Sequence, residues 1–153
     1  MTDALIRRAE DADVAAIIRL RREWTSEQDG DQPDEDFDER LAAWFARESA
    51  RRITWLAEAA GRPVGMINLS VFERMPRPGR GPSHWGYIGN AFILAAYRNR
   101  GIGTRLLSTV LSHADENDFV RVVLSPSARA IPLYQRAGFG PADILMLRTP
   151  PQR

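Results

Sequence analysis

One stretch of the chain combines residue types that suit the binding of a phosphate group. It reads Tyr97-Arg98-Asn99-Arg100-Gly101-Ile102-Gly103-Thr104 and lies between the apolar run 91–96 and a helical apolar pattern over 106–111. Glycines let the backbone approach a ligand closely, and the first N–H groups of a helix have no partners within that helix. These N–H groups and the helix dipole favour an anion. The stretch therefore predicts a strand, a tight turn and a helix that together bind phosphate.

Two well-known phosphate-binding loops are disfavoured at this position. A dinucleotide-binding fingerprint needs a third glycine where the chain has Leu106, and a mononucleotide P-loop needs a lysine, which the chain lacks entirely. What remains is the pattern Arg-x-x-Gly-x-Gly, followed further along the chain by Leu133-Tyr134-x-x-x-Gly138-Phe139.

Length and composition limit the class of protein. With 153 residues, 44% of them hydrophobic, the chain is expected to form a single globular domain over 1–153. The absence of cysteine excludes a disulfide framework, a thiolate zinc site and a cysteine nucleophile. No apolar run approaches the roughly 18 to 20 residues of a membrane span, so we expect a cytoplasmic protein without a membrane partner.

Charge is distributed unevenly along the chain. Residues 1–50 contain 7 arginines and 14 acidic residues, whereas residues 51–153 contain 14 arginines and 6 acidic residues. Arginine suits bidentate contact with phosphate, but these arginines are scattered and form no nucleic-acid motif, so a small anionic ligand is predicted instead of nucleic acid. The acidic run 27–39 has two interpretations: a solvated, well-capped loop, or an electrostatic attraction for a cationic acceptor.

Hydrophobic periodicity and turn residues predict an α/β sheet with helices on both faces. The four tryptophans are predicted to be core residues, and Trp85 is the one most suited to an alternative place in a ligand cleft. The predicted elements are an edge strand over 5–9, a helix over 12–27, a helix from Asp34, a hairpin of strands 53–57 and 64–72, a strand over 85–94, a helix ending near Ala114, a strand over 120–124, a helix starting at 125–127 and a last strand over 139–147.

The two motifs together resemble the signature of the GCN5-related N-acetyltransferase (GNAT) superfamily, and the order of elements fits that superfamily. The resemblance implies a GNAT-like acyl-CoA N-acyltransferase fold, with a mixed, mostly antiparallel sheet of about six to seven strands flanked by about four helices. It implies acetyl-CoA as cosubstrate, no metal, and a small-molecule or peptide amine as acceptor. The resemblance is also compatible with a homodimer.

The resemblance also assigns cofactor-binding residues. The backbone of 98–104 would bind the pyrophosphate of acetyl-CoA, and Phe92 and Ile93 would pair with the pantetheine arm through their main chains. Ser127 stands where the family commonly has an asparagine that contacts pantetheine, and Tyr134 borders the same site. The pyrophosphate-binding residues are Arg98, Asn99, Arg100, Gly101, Ile102, Gly103 and Thr104.

The implied reaction is direct attack of a primary amine on the thioester in a ternary complex, with proximity as a large part of the acceleration. Tyr134 matches the family tyrosine that protonates the leaving thiolate, and its alternative role is a core aromatic. Candidates for the base are Glu73, His84 and, through a bound water, Asn90. Each of these three also has a purely structural interpretation. The alternative function is a catalytically silent acyl-CoA-binding or sensing module with the same fold.

Overall fold

A computed structural model describes residues 3–152, and its centre is a five-stranded sheet. Neighbouring strands are antiparallel from the first to the fourth, and the fifth runs parallel to the fourth. The predicted mixed, mostly antiparallel sheet is confirmed, although it has five strands instead of six to seven. In spatial order the strands are β1 (Leu5–Arg8), β2 (Arg52–Ala59), β3 (Arg62–Glu73), β4 (His84–Ile93) and β5 (Val122–Leu124).

Helices cover both faces of this sheet, as predicted. Successive residues of β2 explain the two layers, because side chains alternate between the faces of a strand. Trp55 and Ala57 pack in one apolar cluster with residues of the third and fourth helices, whereas Leu56 packs in a second cluster with Ile17 and Leu20 of the first helix. None of the helices within 3–152 is long and apolar enough to cross a membrane. The helices are α1 (Val14–Asp29), α2 (Phe37–Glu48), α3 (Ile102–Glu116) and α4 (Ile131–Arg136).

The predicted last strand over 139–147 is wrong. No regular element follows Arg136 in the part of the chain that the structure describes, and the side chains of Ile144, Met146 and Leu147 are exposed. Strand propensity reflects packing against paired neighbours more than an intrinsic backbone preference, and this apolar segment pairs with no described strand. The missing strand accounts for the difference between the six strands of the predicted element order and the five observed.

A β-bulge in β4 shapes the region where the predicted site residues lie. Met66 of β3 pairs with Phe92 and Asn68 pairs with Gly89, so one residue of β3 faces two of β4, Asn90 and Ala91. Asn90 has a φ of 54°, in the left-handed region that asparagine tolerates better than most residues. The extra residue reverses the alternation of side chains, and Phe92 therefore points to the α1 face although Ile88 points to the α3 face.

The parallel pair formed by β4 and β5 is short. Its register runs from Gly86 opposite Val122 to Ile88 opposite Leu124, and no described residue of β5 pairs with β4 beyond that point. The last part of β4, from Gly89 to Ile93, therefore has an open edge on the side of β5. A ligand with hydrogen-bonding groups along its length can pair with such an edge.

Candidate active site

The turn before α3 has the geometry expected of an anion site. Gly101 has a φ of 81°, and a Cβ atom built there would meet no heavy atom within 4 Å. The Arg105 N–H donates to the Gly101 carbonyl at 3.1 Å, which closes the first helical turn. The preceding N–H groups of 102–104 therefore have no partner within the helix and point out of its N-terminal end. The space beside Gly101 is open, which allows a phosphate to approach the turn there.

Arg98 holds this turn against two other elements. Its guanidinium forms a bidentate salt bridge with Glu27 of α1, with N···O distances of 2.6 and 2.7 Å. Its Nε donates to the Ile93 carbonyl at 3.0 Å. The hydrogen bond from Arg98 lowers the pKa of the Glu27 carboxyl below its usual value. The Arg98 side chain thus joins the turn to α1 and to the end of β4, and is already occupied by protein groups.

Removing the Glu27 carboxylate should weaken cofactor binding slightly. An exposed ion pair contributes about 0.2 to 1 kcal/mol, so Glu27→Gln should raise KM for acetyl-CoA about two- to fivefold by loosening the turn. Steady-state kinetics at saturating amine would measure the effect, and Glu23→Gln, an exposed residue on the same helix, is the matched control. Equal KM values in both variants would show that the salt bridge does not support the turn.

The end of β4 presents the main chain of Ile93, and not that of Phe92, to the open edge. The Leu94 N–H donates to the Val64 carbonyl of β3 at 2.9 Å. In an antiparallel ladder, hydrogen-bonded pairs alternate with non-bonded pairs, so the Phe92 main chain also bonds to β3, opposite Met66. The peptide groups of Ile93 then face the open edge, where its carbonyl already accepts from Arg98.

Tyr134 lies in the core cluster that also contains the buried residues of α3. Its side chain is 8% exposed, and its ring meets Phe139 edge-on at a centroid distance of 5.8 Å. Burial raises the pKa of the Tyr134 hydroxyl above its usual value near 10. Gly103 lets α4 approach, because a Cβ atom there would lie 3.3 Å from the Ile93 side chain and 3.6 Å from that of Leu133. The raised pKa keeps the Tyr134 phenol protonated at neutral pH.

Ser127 precedes the short 3-10 turn Ala128–Ala130, which leads into α4. Its carbonyl accepts from the Ala130 N–H at 3.0 Å, but its hydroxyl forms no capping hydrogen bond. The hydroxyl is exposed to solvent and remains available as a ligand contact.

A cavity of about 480 Å³ lies between the helices α1 and α2 and the sheet. Its floor contains three hydrogen-bonded polar side chains from neighbouring strands. Asn90 Nδ2 donates to Asn68 Oδ1 at 2.7 Å, and Asn68 Nδ2 donates to Thr54 Oγ1 at 3.0 Å. The lining residues are Ile17, Arg21, Phe37, Arg40, Leu41, Ala43, Trp44, Phe45, Arg47, Thr54, Met66, Asn68 and Asn90. The bulge thus stands between this cavity and the open edge of β4.

The structure separates the three candidate bases. Asn90 lies at the cavity, whereas Glu73 and His84 are opposite each other at the far end of the β3–β4 pair. Asn90 is six positions beyond His84 along β4, which corresponds to roughly 20 Å at about 3.3 Å per residue. Glu73 is exposed there, and His84 stacks on Phe119 at a centroid distance of 6.0 Å.

Trp44, which was predicted to be a core residue, is half-buried at the cavity, and Trp85, for which a ligand cleft was the alternative, lies away from it. Trp44 lines the cavity, whereas Trp85 stacks on Phe72 at a centroid distance of 4.4 Å and does not line it. The prediction of a core position holds for Trp55, which is 5% exposed. Trp24 is half-buried and stacks on Phe92 at 5.6 Å.

Arg21, Thr54 and Asn68 line the cavity but were not among the predicted site residues. Asn68 carried a signal, because it interrupts the apolar run 64–69 at a position whose neighbours are core residues. Arg21 could also have been recognised, because it is a charged residue one helical turn after Ile17, on the apolar face of the helix. Thr54 is an ordinary strand residue, and nothing in its surroundings singled it out.

The chain matches a known family over most of its length. Residues 14–139 match the model of the acetyltransferase (GNAT) family, so the chain belongs to that family. The matched range includes both sequence motifs, the bulge and all the residues that line the cavity.

Individual relatives share low sequence identity with this chain. Glucosamine 6-phosphate N-acetyltransferase from Trypanosoma brucei brucei is 27% identical over 82 residues, which are 54% of this chain and 54% of that protein. The chain thus spans about half the length of this curated relative. A predicted acetyltransferase from Clostridium acetobutylicum, solved with acetyl-CoA, superposes with a TM-score of 0.75 at 21% identity over 96% of each chain. Glucosamine-6-phosphate N-acetyltransferase from Arabidopsis thaliana gives a TM-score of 0.72 at 16% identity, covering 96% of this chain and 98% of that one. These two likenesses establish the fold.

Proposed function

We propose that the chain, as one catalytic domain, transfers an acetyl group from acetyl-CoA to a primary amine by direct attack in a ternary complex. The observation that carries this proposal is the bulge at Asn90, which lies between an open strand edge and a cavity. A thioester on the edge and an amine in the cavity would meet there. Family membership supports acetyl transfer, and the acetyl-CoA in the Clostridium acetobutylicum structure supports the cosubstrate.

The cofactor would follow the elements already described. Its pyrophosphate would accept hydrogen bonds from the N–H groups of 102–104 in front of Gly101. The pantetheine arm would then run along the open edge of β4 and pair with the main chain at Ile93, while Ser127 borders it from the other side. This path would bring the thioester to the bulge. Tyr134 would approach it from the core cluster that contains the α3 residues.

The acetyl transfer moves three protons. The ammonium first loses one proton to water, and the free amine nitrogen then attacks the thioester carbonyl carbon and forms the C–N bond. As the C–S bond breaks, the thiolate takes the proton of the Tyr134 hydroxyl, and the second proton that the nitrogen loses passes through water to the Tyr134 oxygen. Asn90 can hold such a water or the amine itself through its Oδ1, because its amide N–H already donates to Asn68. Its position makes Asn90 a better candidate for this role than Glu73 or His84.

A small molecule is the most suitable acceptor for a cavity of this size, since pockets for small ligands are typically about 300 to 1,000 Å³. The name of the curated relative, a glucosamine 6-phosphate N-acetyltransferase, supports a small-molecule amine.

Turnover would test the proposal directly. We expect release of free CoA thiol from acetyl-CoA that depends on an added amine, with the N-acetyl product detected by mass spectrometry. Neutral, cationic and anionic primary amines should be assayed side by side, and acetyl-CoA without amine is the control for hydrolysis. Tight binding of CoA with no turnover on any amine would instead support a silent acyl-CoA-binding or sensing module.

A further inference from the structure

The charged residues that line the cavity all carry the same sign. They are Arg21, Arg40 and Arg47, and no acidic residue lines the cavity among the residues described. Of these, Arg40 is neutralised by a salt bridge with Asp34. Neither Arg21 nor Arg47 has a carboxylate of residues 3–152 within salt-bridge distance. Two uncompensated positive charges therefore border the cavity.

Arg21 in particular has unused hydrogen-bonding capacity. Its Nη1 atom is buried and has no hydrogen-bond partner among residues 3–152, and its guanidinium lies 4.2 Å from the ring centroid of Trp24. A buried guanidinium donor without a partner is costly, because the group has lost its water without gaining an acceptor. The contact with the Trp24 ring limits the movement of the guanidinium, whose fork of donors suits a carboxylate or a phosphate. A bound anion would supply the missing partner.

The acidic run 27–39 does not supply a negative wall for a cationic acceptor. None of the eight acidic residues in this run lines the cavity. Three of them pair with arginines: Glu27 with Arg98, Asp34 with Arg40, and Asp38 with Arg22. Arg22 accordingly faces away from the cavity, one residue along the helix from Arg21. A polycationic amine entering the cavity would meet arginine first, and like charges repel in such a site.

We infer that the acceptor is an amine that also carries an anionic group, a carboxylate or a phosphate. The anion binds to Arg21, with Arg47 adding positive charge at the rim, while the amine lies at the floor near Asn90. This inference rests on the proposed acetyl transfer and narrows the class of substrate. It replaces the electrostatic attraction of a cationic acceptor that the acidic run 27–39 suggested.

The test compares amines that differ in the anionic group alone. The phosphate pair is glucosamine 6-phosphate against glucosamine, the carboxylate pair is 5-aminopentanoate against 5-aminopentanol, and spermidine represents a polycation. Wild-type kcat/KM should be at least about tenfold higher for one of the two anionic amines than for its neutral counterpart, and the better pair identifies the anion. Equal values within both pairs, or a preference for spermidine, would overturn the inference.

Arg21→Gln then assigns the effect to this residue. We expect kcat/KM for the preferred anionic amine to fall about 10- to 100-fold, as for the loss of a charge-assisted hydrogen bond, while the neutral counterpart and KM for acetyl-CoA stay within about twofold. Arg22→Gln is the matched control, because it removes an arginine from the outer side of the same helix. A rise in KM for acetyl-CoA instead would show that Arg21 binds the cofactor.

Two further measurements distinguish an incorrect substrate class from an absence of acetyl transfer and from misfolding of the variant. If no amine is turned over, the acetyl transfer itself fails; calorimetric binding of glucosamine 6-phosphate and 5-aminopentanoate to wild type and to Arg21→Gln, with CoA present, then decides the anion site alone. If Arg21→Gln does not fold, Arg47→Gln replaces it, since Arg47 is exposed. For Arg47→Gln we expect a smaller decrease in kcat/KM, again only for the anionic amine.

Discussion

Replacing Tyr134 by phenylalanine should lower kcat by about 100-fold or more, because general acid catalysis by a positioned side chain typically contributes 10²- to 10⁴-fold. The substitution keeps the ring, which packs edge-on against Phe139, and removes only the hydroxyl. KM for acetyl-CoA should stay within about twofold, and the melting temperature should change little. The variant therefore separates proton donation from the structural role of a core aromatic.

The pH dependence of kcat provides a second readout for Tyr134. Burial raises the pKa of its hydroxyl above the usual value near 10, so the proton donor stays protonated at every pH below that value. Any loss of activity as the pH falls below 9 must then come from protonation of the amine or of its proton acceptor. The acidic limb of the profile should be the same in wild type and in Tyr134→Phe, with only its height reduced.

Tyr87→Phe is the control for removal of a tyrosine hydroxyl. The Tyr87 hydroxyl donates to Ser125 Oγ at 3.2 Å on the exposed part of β4, outside the region assigned to the thioester. Its kcat should stay within about threefold of wild type, since an exposed hydrogen bond contributes about 0.5 to 1.5 kcal/mol to stability and not to the reaction. Similar losses in both variants, or full activity of Tyr134→Phe, would exclude Tyr134 as the general acid.

The glycine turn before α3 could be predicted from sequence because its determinants are local. A glycine with positive φ, a helix start and the preceding apolar strand all lie within 91–106, and the structure shows each of them. The hairpin of β2 and β3 was predictable for the same reason, since turn residues separate two stretches of strand formers. Helices α1 and α3 follow from apolar periodicity alone.

The cavity could not be predicted because its residues come from five separate elements. Arg21 lies on α1, Trp44 on α2, and Thr54, Asn68 and Asn90 on three strands. Their proximity depends on strand register and on the single extra residue in β4, neither of which sequence periodicity specifies. The same limit explains the wrong strand over 139–147, because strand formation depends on a neighbouring edge that the local sequence does not describe.

A negative charge introduced at the N-terminal end of α3 would give the strongest test of the proposed cofactor site. Gly101→Asp should weaken CoA binding by about a thousandfold, because two like charges about 4 Å apart repel by roughly 4 kcal/mol at the effective dielectric of a protein surface. The side chain itself fits, since a Cβ atom at Gly101 would meet nothing within 4 Å. The loss would therefore be electrostatic and confined to the cofactor.

Gly101→Asn is the matched control for this charge. Asparagine has nearly the same shape as aspartate and tolerates the left-handed backbone at φ 81°, so both variants carry a similar strain of about 1 kcal/mol. Their melting temperatures should agree, while calorimetric Kd values for CoA should differ by two to three orders of magnitude, with the difference shrinking at high salt. If both variants bind CoA as tightly as wild type, the turn is a helix start without a role in cofactor binding. If both lose binding equally, backbone geometry is responsible, and the N–H groups of 102–104 must be tested by other means than charge.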